Sequence, residues 1–437
     1  MRQSSKRFPL LRTAFVCGAL ASSAIFSLLT PSACHSVRAQ LQDSPKAVVD
    51  EVWQIVNRQY VDGTFNHVDW QATRQSLLSQ NYTTREQAYN AIREALKKLG
   101  DPYTRFLDPK DYQILTEQSI DGQLSGIGIQ MEQNQKTKQL VVVKTVENSP
   151  ALKAGIKAGD RILAIDGKST QGMNVEDASK LIRGKAGIPV VLRIERDGQS
   201  VSNFKITRGN IEVPKVTYNF KQEGSRRIGY IRLAEFSANA PEQMRRAIQT
   251  LNAKRVNGFV LDLRGNPGGL VVSSIEIARM WLENGAIVRT VDRVGGKEEV
   301  KANHTTLTKQ PLVVLVDGNS ASASEILTGA LKDNKRAVVV GSQTFGKGLV
   351  QELRKLSDGS GLAVTIEHYF TPNGTDINHK GIRPDVKIDL TQAQQRQLGT
   401  NPTLIGTQSD PQYARAIAVL TSRQVSTTTI HPKLRKL

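Results

Sequence analysis

From residue 209 to residue 390 the chain alternates short runs of Val, Ile and Leu with helical periods, and this alternation limits the fold more than any other feature. Ile228 to Phe236, Gly258 to Leu263, Pro311 to Val316, Ala337 to Val340 and Ala363 to Tyr369 read as strands. Pro241 to Val256, with proline at its start, Leu270 to Leu282 and Ala323 to Lys332 read as helices. Strands and helices in such succession argue for an α/β layer domain.

Four motifs compete for the chemistry of this region. Gly341-Ser-Gln-Thr-Phe-Gly346-Lys347 follows an apolar strand and nearly spells a phosphate loop, with Leu312 to Asp317 posing as a magnesium strand. It lacks the Ser or Thr after the lysine, and Leu349 to Leu353 reads as strand where a helix is needed. A histidine-based triad finds no Gly-x-Ser-x-Gly elbow, and no His-Glu-x-x-His zinc pair occurs. His368 lies inside a strand, where packing explains it. Asn319-Ser-Ala-Ser-Ala-Ser-Glu-Ile326 joins a buried strand to a helix, so Ser322 stands at a helix N-terminus that favours negative charge. Ser322 with Glu325 equally makes a capping box. Leu261-Asp-Leu-Arg264-Gly265-Asn266-Pro267-Gly268-Gly269 ends a strand in a glycine-rich turn whose free N–H groups suit an oxyanion, or serve as a plain connection.

Residues 40–118 read as helical. Val48, Val49, Val52, Ile55, Val56 and Tyr60 share a face, and Thr84 with Gln87 opens a second helix through a capping box that Gly100-Asp101-Pro102 stops. Residues 119–208 form a small β-rich module with strands at Leu140 to Val146 and Val190 to Ile194 and a helix at Val175 to Ile182. Near its start, Gly126-Ile127-Gly128-Ile129 can present backbone N–H groups to a carboxylate or form an unliganded turn.

The 437 residues carry a net charge of +19 and two cysteines, Cys17 and Cys34. Arg2, Lys6, Arg7 and Arg12 precede an apolar run from Ala14 to Leu29, and Ser36-Val-Arg-Ala39 suits cleavage after Ala39. This is the pattern of a signal peptide over residues 1–39, too short in its apolar run for an ordinary span. Without the leader, 54 Lys and Arg stand against 40 Asp and Glu, a net +14, and no cysteine is left. An exported protein without cysteine has neither a disulfide framework nor a thiol nucleophile. Residues 391–437 read as a basic tail, with six Lys or Arg and one acid. The basic balance would suit peripheral contact with an anionic membrane surface. It is spread rather than clustered, and an exported chain seldom meets nucleic acid, so no nucleic-acid partner is expected.

Together these motifs resemble the carboxy-terminal processing proteases, also called tail-specific proteases, over nearly all the exported chain. The resemblance rests on Gly100-Asp-Pro-Tyr-Thr-Arg-Phe-Leu107, on Ser149-Pro-Ala151 through Gly159-Asp-Arg-Ile-Leu-Ala-Ile-Asp-Gly167, which is similar to the PDZ family, and on Arg264 to Gly269. It continues through Ser320-Ala-Ser-Ala-Ser-Glu-Ile326, Thr344-Phe-Gly-Lys-Gly348, Tyr369-Phe-Thr-Pro-Asn-Gly374 and Gly381-Ile-Arg-Pro-Asp385. It implies an α+β multidomain protein: an N-terminal helical segment, a PDZ-like β module, and an α/β catalytic core at 209–390 with the tail-specific protease, crotonase-like fold. It implies a serine endopeptidase that needs no cofactor or metal, with Ser322 as nucleophile, Lys347 as base and Gln351 orienting the lysine. The expected oxyanion donors are the N–H groups of Gly268 and Ala323. If Lys347, Leu349 and Gln351 lie on one strand, they share a face, which makes a Lys347–Gln351 contact reasonable. Lysine, with a pKa of about 10.4, becomes a base near neutrality only if burial lowers that value. Asp333 also matches a family position and reads as structural, capping a helix end. In the PDZ module Ile127, Gly128 and Ile129 would line a loop for a substrate C-terminal carboxylate, and Arg183 would couple binding to activation or simply end a helix. Expected partners are protein substrates with free C-termini, the photosystem II D1 precursor among them, in a periplasm or thylakoid lumen. The competing expectation is a PDZ adaptor that binds C-termini without cutting.

Overall fold

The computed structural model describes residues 44–116, 123–134, 137–197, 199–212 and 214–425. The expected leader, both cysteines and the last twelve residues lie outside the described residues.

The N-terminal region consists of α1 (Pro45–Gln59), α2 (Trp70–Ser79), α3 (Arg85–Lys97), β1 (Arg105–Leu107) and α4 (Pro109–Leu115). Ser44 and Pro45 start α1, the serine hydroxyl accepting the Lys46 N–H. Val48, Val49, Val52 and Val56 of α1 bury against Ala88, Ile92 and Leu96 of α3. Thr84 caps α3, but Gln87 Oε1 accepts from Thr83 rather than Thr84, so the expected capping box closes one residue early. The same core takes in Leu356, Leu362 and Val364, which welds this region to the α/β region beyond it.

The second region holds β2 (Gln123–Gly126), β3 (Ile129–Gln133), β4 (Leu140–Thr145), α5 (Pro150–Lys153), β5 (Arg161–Ile165), β6 (Lys168–Ser169), α6 (Val175–Ile182), β7 (Pro189–Glu195), β8 (Ser202–Thr207) and β9 (Gly209–Glu212). An antiparallel sheet of order β3-β4-β5-β7-β8 encloses its own core, with Leu140, Ile162, Val190 and Leu192 fully buried. Entry and exit pair as the β2–β9 ribbon.

The third region contains β10 (Val216–Glu223), β11 (Arg226–Leu233), α7 (Ala240–Ala253), β12 (Gly258–Asp262), α8 (Val271–Trp281), β13 (Ala286–Asp292), β14 (Lys297–Lys301), β15 (Leu312–Val316), α9 (Ala323–Asp333), β16 (Ala337–Gly341), β17 (Leu349–Lys355), β18 (Gly361–Phe370) and β19 (Val386–Lys387). One sheet has the order β10-β11-β12-β15-β16-β19 and is parallel from β11 onward. Every residue of β12, β15 and β16 is buried, which requires cover on both faces. Helices α7, α8 and α9 supply one side. A second sheet joins β1, β18, β13 and β14, with β17 on β18.

Cover for the other face overturns the expected basic tail. Residues 391–425 fold into α10 (Gln392–Thr400), a short 3-10 turn and α11 (Pro411–Val425). Tyr413, Ala416 and Leu420 of α11 pack on Val260, Val313, Leu315, Val338 and Val340. Burying each large apolar side chain is worth about 1.5–3 kcal/mol, so α11 is part of the core. Only residues 426–437 of the expected tail lie outside the described residues.

Candidate active site

Three loops meet at the C-terminal ends of adjacent parallel strands, where open α/β sheets gather their functional groups. Arg264–Gly269 follows β12, Asp317–Ser322 follows β15, and Ser342–Gly348 follows β16 and feeds β17. No phosphate-loop helix follows Lys347. The loops are laced together by hydrogen bonds. Gly265 and Asn319 N–H groups both donate to Asp317 Oδ1 (3.0 Å each), the Ala321 N–H reaches the Asn266 carbonyl (3.1 Å), and the Phe345 N–H reaches the Ser320 carbonyl (3.1 Å).

Burial separates the three serines. Ser320 and Ser324 are fully buried, and their hydroxyls donate to the Leu263 carbonyl (2.9 Å) and the Asn266 carbonyl (3.0 Å). Ser322 alone of the three is only half-buried. Its backbone is strained: other helix-capping residues such as Ser44 and Thr84 are extended, whereas Ser322 has φ +54 and ψ −114. Two groups hold this corner. The Ser322 N–H donates to Glu325 Oε2 (2.9 Å), and the buried Tyr369 phenol donates to the Ser322 carbonyl (3.0 Å). Burial, with Glu325 and Tyr103 nearby, pushes the Tyr369 pKa well up, so the phenol keeps the proton it donates.

Glu325 does more than cap α9. Its buried carboxylate accepts four hydrogen bonds: Ser322 N–H and Lys347 N–H (2.9 Å each) on Oε2, and the Thr344 hydroxyl (2.6 Å) and Gly346 N–H (2.8 Å) on Oε1. One acceptor atom thus joins the peptides of Ser322 and Lys347. The Ser-x-x-Glu spacing signalled a cap and gave no sign of this second role.

Lys347 sits between β16 and β17, mostly buried. Its ammonium lies over the Tyr103 ring, 4.4 Å from the centroid, and makes no hydrogen bond or ion pair among the described residues. Desolvation lowers its pKa and Arg105 pushes the same way, while Asp101 and Glu325 act in the opposite direction. Among the described residues no hydrogen bond joins Lys347 to Gln351. Lys347 precedes the strand, and a bulge after Val350 sets Gln351 opposite Thr365 instead of Ile366. The Gln351 amide donates to Thr365 Oγ1 (3.2 Å), which donates to Asp101 Oδ2 (2.6 Å).

Gly268 has φ +106, and a Cβ there would come within 2.9 Å of Ser322 Cβ and 3.1 Å of the Ala323 nitrogen, so only glycine allows this approach. Its N–H donates to Asn266 Oδ1 (2.9 Å) rather than standing free. Ala323 is the first residue of α9, where an N–H has no intrahelical acceptor. Asp333 ends α9 and accepts the Asn373 N–H (2.9 Å), in line with a structural part.

In the second region the Ile127 side chain is buried in the module's core, which leaves its backbone to face the loop. Gly128 has φ +77, and a Cβ there would lie 2.4 Å from Ser149 Cβ. Ile129 begins β3 and is half-buried. Arg183 is exposed at the C-terminal cap of α6. The carbonyls of that helix end go instead to the buried Arg208, which donates to Leu181 (2.8 Å) and Ile182 (2.7 Å).

Residues 227–388 match the model of Peptidase family S41, and residues 141–196 match a PDZ domain. The chain is 44% identical to the carboxyl-terminal-processing protease of Picosynechococcus sp., covering 86% of this chain and 89% of that one. It is 41% identical to carboxyl-terminal-processing peptidase 2, chloroplastic, of Arabidopsis thaliana, over 77% of this chain and 67% of the relative. A solved photosystem II D1 C-terminal processing protease superposes with a TM-score of 0.52 at 36% identity, over 79% of this chain and 93% of the other. The fold, the PDZ module and these relatives agree: the chain belongs to peptidase family S41, among the carboxyl-terminal-processing proteases.

Proposed function

We propose that this protein is an exported serine endopeptidase that cuts near the C-terminus of its substrates with a Ser322–Lys347 dyad. The observation that carries the reading is the Glu325 carboxylate, which binds both dyad peptides beside the one serine of three that is not buried. Neutral Lys347 takes the Ser322 hydroxyl proton as Oγ attacks the scissile carbonyl. The resulting oxyanion binds the N–H groups of Ala323 and Gly268, the latter after Asn266 gives up its bond. Lysinium then protonates the leaving amine, and water releases the acyl group by the same route. Gln351 acts through Thr365 and Asp101 on the segment beneath the lysine.

The PDZ module selects substrates by their free carboxylate, received by the backbone of Ile127, Gly128 and Ile129, with Arg183 sensing its arrival. The chloroplastic relative and the D1-processing protease support a thylakoid lumen, or the equivalent exported space of a bacterium, and a D1-like precursor as substrate. Incubation with a tailed protein substrate tests the reading. Cleavage is expected, is lost in Ser322→Ala and Lys347→Ala proteins that remain folded, and weakens when the substrate C-terminus is amidated. Binding without cleavage would make the protein an adaptor, and equal cleavage of the amidated substrate would remove the carboxylate-reading role.

A further inference from the structure

The segment Gly100-Asp-Pro-Tyr-Thr-Arg-Phe-Leu107 lies more than two hundred residues before either dyad residue, yet it reaches under Lys347. We propose that Tyr103 is a positioning residue for Lys347, its ring face being the seat on which the ammonium rests between proton transfers. The inference deepens the dyad reading and rests on it for its catalytic meaning.

Three observations carry the proposal. First, the Tyr103 ring is the one partner of Nζ among the described residues: a mostly buried ammonium without a hydrogen bond needs some compensation, and an aromatic face 4.4 Å away supplies it. Second, the ring is fixed from the catalytic sheet. The Tyr103 N–H donates to Asp101 Oδ1 (2.9 Å), while Asp101 Oδ2 accepts from Thr104 Oγ1 (2.7 Å) and Thr365 Oγ1 (2.6 Å). The Thr365 N–H returns to Thr104 Oγ1 (3.0 Å), and β1 pairs with β18 from Arg105↔Ala363 to Leu107↔Gly361. Third, burial and the neighbouring Asp101 and Glu325 raise the Tyr103 pKa, so the ring stays a neutral phenol where the lysine titrates.

The charged groups facing Nζ come from every element around it: Arg105 of β1, Asp101 of the preceding loop and Glu325 of α9. Arg105 disfavours the ammonium, and Asp101 and Glu325 favour it. The Tyr103 face also favours it, so the ring acts on the same side as the acids. With the ring in place, protonated Lys347 has a defined resting site and the neutral amine is released toward Ser322. Without it, the lysine gives up its proton more readily but is no longer held in one place.

The test reads the Lys347 proton apart from catalysis, by NMR titration of 13Cε-labelled lysine in Ser322→Ala protein, beside the pH profile of kcat/KM in the active enzyme. Tyr103→Leu is expected to lower the Lys347 midpoint by about half to one unit, the size of a partly buried cation–π contact. It should lower kcat about tenfold with little change in KM. Tyr103→Phe keeps the face and should titrate like the unaltered protein. Tyr103→Met also removes the aromatic face while keeping an apolar side chain, and should lower the midpoint likewise if Tyr103→Leu fails to fold. A midpoint unmoved in Tyr103→Leu, or raised because the ring merely excludes water, overturns the proposal. A midpoint that falls while the kcat/KM limb stays put leaves the seat intact and refutes Lys347 as the base.

Discussion

The serine corner and the lysine arm are built in opposite ways. Ser322 has its peptide gripped at both ends, N–H by Glu325 and carbonyl by Tyr369, and holds a left-handed φ that few non-glycine residues adopt. Lys347 has its peptide gripped by the same Glu325, but its four-carbon arm ends on an aromatic face with no hydrogen bond among the described residues. The contrast suits the two tasks proposed for them. A nucleophile gains from fixed direction, whereas a base must accept a proton, carry it and return it.

Substitutions sharpen this contrast. Glu325→Gln should have the largest effect, because an amide group cannot accept all four hydrogen bonds and would set N–H against N–H. Each hydrogen bond to a charged group is worth roughly 1.5–3 kcal/mol, so stability should fall by several kcal/mol in chemical denaturation. The kcat should fall by about a hundredfold or more as both dyad peptides shift. Tyr369→Phe leaves the Ser322 carbonyl without its donor and should cost about 1–3 kcal/mol, with kcat reduced roughly tenfold and KM nearly constant. A Tyr369→Phe protein with full kcat would show that the strained corner holds itself. Lys347→Met should act in the other direction on stability. The folded lysine has a lowered pKa through desolvation, so at neutral pH folding carries a cost that the hydrated lysine of the unfolded chain does not. That penalty fades as pH rises toward the unfolded value near 10.4. Lys347→Met should therefore abolish activity yet raise Tm at pH 7, with a smaller gain at pH 10, as calorimetry would record. A lower Tm at pH 7 would mean that the arm is a stabilising contact and the contrast is wrong.

What was legible in the sequence follows from what depends on neighbours in the chain. The helix at Val175–Ile182 agrees to the residue, and the strands β12 and β15 to within one, because period and flanking glycines are local signals. The strands β10, β13 and β14 were not foreseen, since their exposed faces carry charged residues and break the apolar run. Helix α11 was hidden by composition: Tyr413, Ala416 and Leu420 have helical spacing, but the surrounding arginines read as a tail, and the sheet face they cover is far away in sequence. The motifs at Ser322, Lys347 and Gly268 were visible as motifs. Their contacts were not, because the bulge that turns Gln351 to Thr365 belongs to the pairing of β17 with β18. Tyr103 and Tyr369 stood in recognisable motifs without a chemistry of their own, and only the folded sheet carries them to the dyad.

Ser322 is proposed to owe its nucleophilicity to Lys347. An alkyl fluorophosphonate that modifies activated serines tests it, with the modified residue located by mass spectrometry. A single adduct is expected on Ser322, none on Ser320 or Ser324, formed faster as pH rises through the lowered lysine pKa and absent in folded Lys347→Ala protein. An adduct on another serine, or undiminished modification of Ser322 in Lys347→Ala protein, would contradict it.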